Sequence, residues 1–336
     1  MTLRPLLAVV GVAVLFTTLG DALWTTLSVS TGSGPLSGRV AAAAWRAGRS
    51  LRRHDPSSRL AVSSGLLAAL VPLFAWIVLV WLGWSLIFAS SEGAVVSSAT
   101  GIPAPTWERA YFAGYTLFTL GNGEFRPGGG GWQLATVAAA FSGLALVSIA
   151  ITHMVMVTSA ASEGRLLALT ISDLGASPQE ILERHWDGTR FGLLPEALGQ
   201  LSARVNDHVE RHRAYPTLHY FHSPDREAAA SAMLAVLDET LNLLEGGIAW
   251  GAASDAQLDP ARRACDRFIA LIRGHYASAS AITPPPCDLT GMRAHGLPVV
   301  SDSVFAEHIG RSQPRRRLLH ALVTDDGWPW PEERGG

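Results

Sequence analysis

The sequence predicts an all-α membrane protein with a helical water-soluble half, and three observations carry that prediction. Three apolar runs, at about residues 6–29, 60–89 and 134–158, are each long enough to cross a bilayer, which takes about 20 residues. The 336 residues are 48% hydrophobic and only 16% charged, whereas about a quarter of a soluble domain is charged. After Glu163 the composition becomes polar, with apolar residues recurring at helical spacing. The formal net charge of −2 gives no reason to expect a nucleic-acid partner. All 26 basic residues are arginine, which reads as base-composition bias. Cys265 and Cys287 match no zinc or redox spacing and read as two unpaired thiols.

The first run continues past Asp21 through Trp24, so it reads as a span and not as a cleaved signal. A carboxylate inside a span is costly unless it faces protein, water or a partner. Asp21 therefore reads either as an ion-pathway or inter-helix polar contact or, more simply, as a residue near a helix end bonded locally to Thr17, Thr18 or Thr25. The stretch from Arg39 to Arg59 carries Arg46, Arg49, Arg52 and Arg53 around Ala41–Ala44, Trp45 and Leu51. It suits a basic amphipathic helix on a membrane face. Arginine-rich short loops stay on the cytoplasmic side, which sets the N-terminus outside.

The second run is uncharged and contains Pro72, Trp76, Trp81 and Trp84. Residues 90–105 are small and polar and read as an external loop. Thr106 is placed to cap a helix over about 107–117, with Glu108 in its first turn, where the helix dipole favours an acid. That helix is too short to span, so it reads as re-entrant. Backbone that is not helical is tolerated at such depth only against protein or a water-filled path. Gly128–Gly131 reads as a flexible return. The third run carries Gly143, a bend or a close-packing point, and His153, a pH-sensing gate residue or simply an interfacial or satisfied histidine.

Between these runs lies Thr116-Leu117-Phe118-Thr119-Leu120-Gly121-Asn122-Gly123-Glu124. With its flanking runs, this segment resembles the pore loop of the potassium-channel superfamily, whose pattern is Thr-x-x-Thr-Val-Gly-Tyr-Gly-Asp. Thr116, Thr119, Gly121 and Gly123 match; Leu120, Asn122 and Glu124 depart. The resemblance covers about residues 60–158. It implies an outer helix, a pore helix, a selectivity filter formed by Thr119, Leu120, Gly121, Asn122 and Gly123, and an inner helix. It also implies a homotetramer and passive permeation of K+ or another monovalent cation, with no cofactor. Glu124 would ring the outer mouth, and Gly121 and Gly123 would supply positive φ at little cost. In the family the aromatic at the Asn122 position braces the filter, so Asn122 predicts a wider or more compliant one. Tyr115 stands where many members have Glu.

In the polar half, Ser177-Pro178-Gln179-Glu180 is a capping box, and helical faces recur over about 193–209, 228–244 and 260–276. Thr283-Pro284-Pro285-Pro286 opens what reads as an irregular tail with a short helix at about 315–322. No nucleotide fingerprint, strand alternation or internal repeat is visible. His208 and His212, one turn apart and near His219 and His222, form a weak metal candidate, since Arg211 and Arg213 disfavour a cation there. Tyr215–Phe221 reads as an aromatic docking surface or a ligand pocket.

The expected organisation is a span over 1–32, a basic segment over 33–59 and a pore domain over 60–160. A cytoplasmic helical domain over 161–282 and a tail over 283–336 follow. The expected function is a cation channel of the cell membrane, in contact with lipid, and not an enzyme. The rival readings are a non-selective channel, a membrane-anchored sensor on a non-conducting scaffold, and a metalloenzyme using the histidines.

Overall fold

The computed structural model describes residues 3–28, 32–52, 64–249, 255–275 and 279–331. Val29, Arg53, Arg59, Leu60 and Tyr276, at which several of the expected segments begin or end, lie outside the described residues, as do the side chains of Arg49 and Arg52. The chain is mostly helical and folds as two units, residues 1–158 with 214–220, and residues 159–213 with 221–336.

In the first unit, α1 (Leu3–Leu27), α2 (Pro35–Arg52) and α3 (Ser64–Ala89) precede the short α4 (Thr106–Leu117). The long α5 (Gly130–Ser172) follows. Helices α1, α3 and α5 are long and apolar enough to cross a membrane, and Phe16, Phe74, Phe141 and Ile151 on them face outward. Helices α1 and α3 cross at paired glycines: a Cβ on Gly11 would lie 2.7 Å from the Gly83 carbonyl oxygen. Such small residues let backbones approach where lipid supplies no hydrophobic drive.

Asp21 is buried, and its partners are distant in sequence. Its carboxylate accepts hydrogen bonds from the Leu36 amide (2.8 Å), the Ser37 amide (3.1 Å) and the Trp76 indole (3.1 Å), and also from the Ser37 hydroxyl. The inter-helix polar contact is thus the reading that describes Asp21, and the local threonine bonds are corrected. Thr25 instead accepts from the Gly34 amide at 2.9 Å. An acid from α1 thus supplies the N-terminal cap that α2 lacks in its own sequence. Ala41 of α2 is buried, while Arg39, Ala43, Arg46 and Ala47 are exposed.

The expected plain external loop is more ordered than its composition suggested. A 3-10 turn (Glu92–Ala94) leads into β1 (Val95–Ser97), which pairs antiparallel with β2 (Phe125–Pro127) in the register Val96↔Arg126. Three-residue strands are too short for alternation to show in sequence. Gly128 is packed tightly and is not a flexible spacer, because a Cβ there would collide with the Gly93 carbonyl.

Helix α5 does not stop where charge appears at Glu163. At 43 residues it runs about 65 Å, twice a bilayer core of about 30 Å. Its last turns enter the second unit, packing Leu167 and Ile171 into that unit's core.

The second unit contains α6 (Pro178–His185), α7 (Leu194–Ala214), α8 (Ala230–Gly246), α9 (Asp255–His275), α10 (Leu289–Ala294) and α11 (Asp302–Asp325). The capping box forms at α6, with Ser177 accepting from the Glu180 amide at 3.2 Å. Its return arm reaches the Ala176 amide at 2.9 Å. Helix α8 is buried all round from Ser231 to Leu244, including Asp238, Glu239 and Asn242. Its acids are matched from neighbouring helices. Arg262 donates to Asp238 (3.0 Å) and Glu245 (2.7 Å), Arg315 donates to Asp238 (3.1 Å), and the wholly buried Arg316 donates to Glu239 (2.9 Å).

The expected irregular tail is corrected by the 24-residue α11. Its arginine run and internal Pro314 mask the helix in sequence, and ion pairs to α8 hold it there. Arg316 also donates to the Pro284 and Pro285 carbonyls at 3.0 and 2.6 Å, so the proline segment is clamped. Cys265 and Cys287 are both buried, and neither forms a disulfide among the described residues.

Candidate pore site

Helix α4 dips and ends after 12 residues. Pro105, not Thr106, is its N-cap, and no side chain caps it there. Proline fixes φ, so the entry turn is set by backbone, and Thr106 becomes the first helical residue. Arg109 does the holding instead: buried, it donates to the carbonyls of Ala104 (2.7 Å) and Ser91 (2.9 Å). Sequence reading missed Arg109; a lone arginine one turn into a short apolar helix was the available signal. Trp81 of α3 donates to the Ala110 carbonyl at 2.9 Å, and Trp84 donates to Ser142 of α5 at 2.9 Å. These indoles tie α4 and α5 to α3.

The far end of α4 closes with a paired turn. The Thr119 amide bonds to the Thr116 carbonyl (3.1 Å) and the Leu120 amide to the Tyr115 carbonyl (2.8 Å). That pattern places a left-handed residue just past the helix, a position that glycine normally fills. Here it is Thr119, at φ 57°. A β-branched residue in this region is strained by about 1–3 kcal/mol, and such strain concentrates at functional positions.

Positive φ recurs at Gly121 (57°) and Gly123 (76°), and no positive φ occurs at Leu120 or Asn122. The backbone thus alternates in hand over five residues. In an extended segment this turns successive carbonyls toward one side, whereas ordinary strand geometry sends them alternately to both. Thr119, Leu120, Gly121, Asn122, Gly123 and Glu124 are all exposed in the single chain, while Thr116 behind them is buried.

The segment from Asn122 to Phe125 is tied back to α4. The Asn122 amide donates to the Tyr111 hydroxyl at 2.7 Å, and the Tyr115 hydroxyl donates to the Phe125 carbonyl at 2.8 Å. The Glu124 carbonyl accepts from the Ser98 amide at 3.0 Å, fastening the outer end to the external loop. Asn122 therefore has a partner on the pore helix, which sequence reading did not foresee.

Gly143 of α5 faces the end of α4. A Cβ there would collide with the Leu117 carbonyl oxygen and lie 2.9 Å from its carbon, so the close-packing reading describes it. His153 is buried between the rings of Trp76 (6.2 Å) and Tyr215 (6.0 Å), and its Nδ1 has no hydrogen-bond partner among the described residues. Tyr215 belongs to a segment that rejoins the first unit, where Tyr220 stacks on Trp45 at 5.3 Å. The aromatic stretch is thus a docking surface.

His208 and His212 have ring centroids 5.6 Å apart, and among the described residues no group of three metal-ligating side chains converges. Burial pushes the His208 imidazole down to about 4.

With this geometry in view, the comparisons with known proteins are specific. Residues 73–160 match the ion-channel family Ion_trans_2. The chain is also 30% identical over 324 residues to the "Uncharacterized membrane protein YdjJ" of Bacillus subtilis (strain 168), covering 96% of this chain and 94% of that protein. The chain belongs to the family of that membrane protein. It is thus a membrane protein with an ion-channel domain, matched from the middle of α3 to the middle of α5. No solved structure matches it significantly.

Proposed function

We propose that the chain is one subunit of a homotetrameric cation channel of the cell membrane, passing K+ passively through a filter formed by Thr119–Gly123. The observation that carries this reading is the alternation in backbone hand over residues 119–123, directly beyond a re-entrant helix. Carbonyls facing one way replace the water shell of a cation, and four such segments around an axis enclose it. The strained Thr119 adds a hydroxyl at the innermost position, where a glycine would fit the backbone better but coordinate nothing. The C-terminal end of α4 contributes partial negative charge there. Four Glu124 carboxylates at the outer mouth favour cations over anions. The second unit lies on the cytoplasmic side, by the arginines between the first two spans.

The test is rubidium or thallium uptake into liposomes holding the purified full chain, followed by reversal potentials under opposed K+ and Na+ gradients. Uptake with a reversal potential near that of K+ supports the reading. Absence of flux at every pH and voltage refutes conduction and leaves a non-conducting sensor scaffold. A reversal potential near zero identifies a non-selective cation channel.

A further inference from the structure

We propose that Tyr111 and Tyr115 are positioning residues that set the width of the filter, and through it the preference for K+ over Na+. The inference rests on the channel reading above and assigns a role to two side chains that the filter pattern does not contain. Tyr111 and Tyr115 lie four residues apart, hence on one face of α4. That face carries the filter's two attachments to the pore helix. Tyr111 accepts from the Asn122 amide in the middle of the filter (2.7 Å), and Tyr115 donates to the Phe125 carbonyl just beyond it (2.8 Å).

The phenols are themselves fixed. The Tyr111 and Tyr115 rings meet edge to face at 5.3 Å, Tyr115 meets Phe112 at 5.2 Å, and Phe112 meets Phe88 of α3 at 5.1 Å. A row of four aromatic rings thus runs from the outer helix to the filter, each pair in a favourable edge-on arrangement. Asn122 also accepts from the Glu124 amide at 3.4 Å, so its side chain is oriented from both sides. Asparagine is too short to reach the pore helix and pack there by itself. It reaches because the phenol is supplied by α4. The brace has moved from the filter to the helix behind it.

A filter held at two points resists closing around a smaller ion, and discrimination by a carbonyl cage depends on either its size or its stiffness. Removing one hydroxyl while keeping its ring leaves the aromatic packing intact and frees one attachment. The predicted consequence is a change in selectivity with conduction retained.

The measurement is the K+/Na+ permeability ratio, from reversal potentials of the full-length protein in planar bilayers. Tyr111→Phe is expected to lower the ratio about fivefold, the worth of one hydrogen bond made at one filter width and lost at another. Tyr115→Phe carries the same test at the second bond, so one variant decides if the other fails to assemble. Exchanging the partners, Tyr111→Asn with Asn122→Tyr, is expected to recover at least part of the loss, which a purely structural role for Tyr111 does not predict. A ratio within twofold of wild type in a conducting Tyr111→Phe or Tyr115→Phe channel overturns the brace and leaves the channel reading standing. No current from the wild-type protein overturns both.

Discussion

Asp21→Ala tests the account of how the first unit is assembled. The carboxylate accepts from three N–H donors: the Leu36 and Ser37 amides at the start of α2, and the indole of the buried Trp76, which also donates to the Ser37 hydroxyl at 3.0 Å. Loss of a helix cap costs about 1 kcal/mol. A buried donor left without a partner costs about 1–3 kcal/mol. Together these predict a loss of about 2–4 kcal/mol. Asp21→Asn keeps one acceptor oxygen but turns an N–H toward the remaining donors, and about half that loss is expected. Unfolding of the full-length protein in detergent, followed by near-UV circular dichroism, reads the loss. Trypsin reads the local consequence, since α2 released from its cap becomes cleavable at Arg39 and Arg46. An Asp21→Ala protein within about 1 kcal/mol of wild type, with α2 still protected, would refute the reasoning.

Three further outcomes are expected. Gly143→Ala forces α5 away from the Leu117 carbonyl; an overpacking cost of about 1–3 kcal/mol is expected in the same unfolding assay. Arg316→Met leaves Glu239 buried and unpaired and is expected to cost about 3–5 kcal/mol, much of it recovered by adding Glu239→Met, as a double-mutant cycle would show. His208 is held neutral by burial, with its pKa lowered to about 4 from an ordinary 6.5. The unfolded chain therefore takes up this proton first as pH falls. The stability is present above about pH 6.5 and is lost progressively toward about pH 4, amounting to about 3 kcal/mol. Replacing His208 by Leu is expected to flatten that part of the stability–pH curve, and an unchanged slope would count against it.

The spans were legible because lipid demands long uncharged runs, and three such runs leave little else to infer. The pore segment was legible because its glycines sit where positive φ is needed. What escaped was set by contacts between distant residues. Asp21 has threonines beside it in sequence, yet its partners come from α2 and α3, and no local spacing announces them. Tyr111 and Tyr115 look like ordinary members of an amphipathic turn until residues 122–125 fold back onto them, and Arg109 does so until its carbonyl partners at Ala104 and Ser91 are in place. The tail read as irregular because Arg315, Arg316 and Arg317 break its apolar period, whereas two of these pair with acids inside α8. A polar core hides a helix from any pattern built on hydrophobicity.

The return of residues 214–220 to the first unit has a consequence for how the protein can be divided. The ion-channel match ends at residue 160, which invites a truncation there. Such a fragment would lack Tyr220 from the face of Trp45 and Tyr215 from the edge of His153, leaving His153 packed by Trp76 on one side alone. During synthesis the same gap opens briefly. The third span is complete more than fifty residues before the segment that covers it has been made. The membrane unit is thus a discontinuous piece of chain, finished last by a sequence that hydropathy assigns to the water-soluble half.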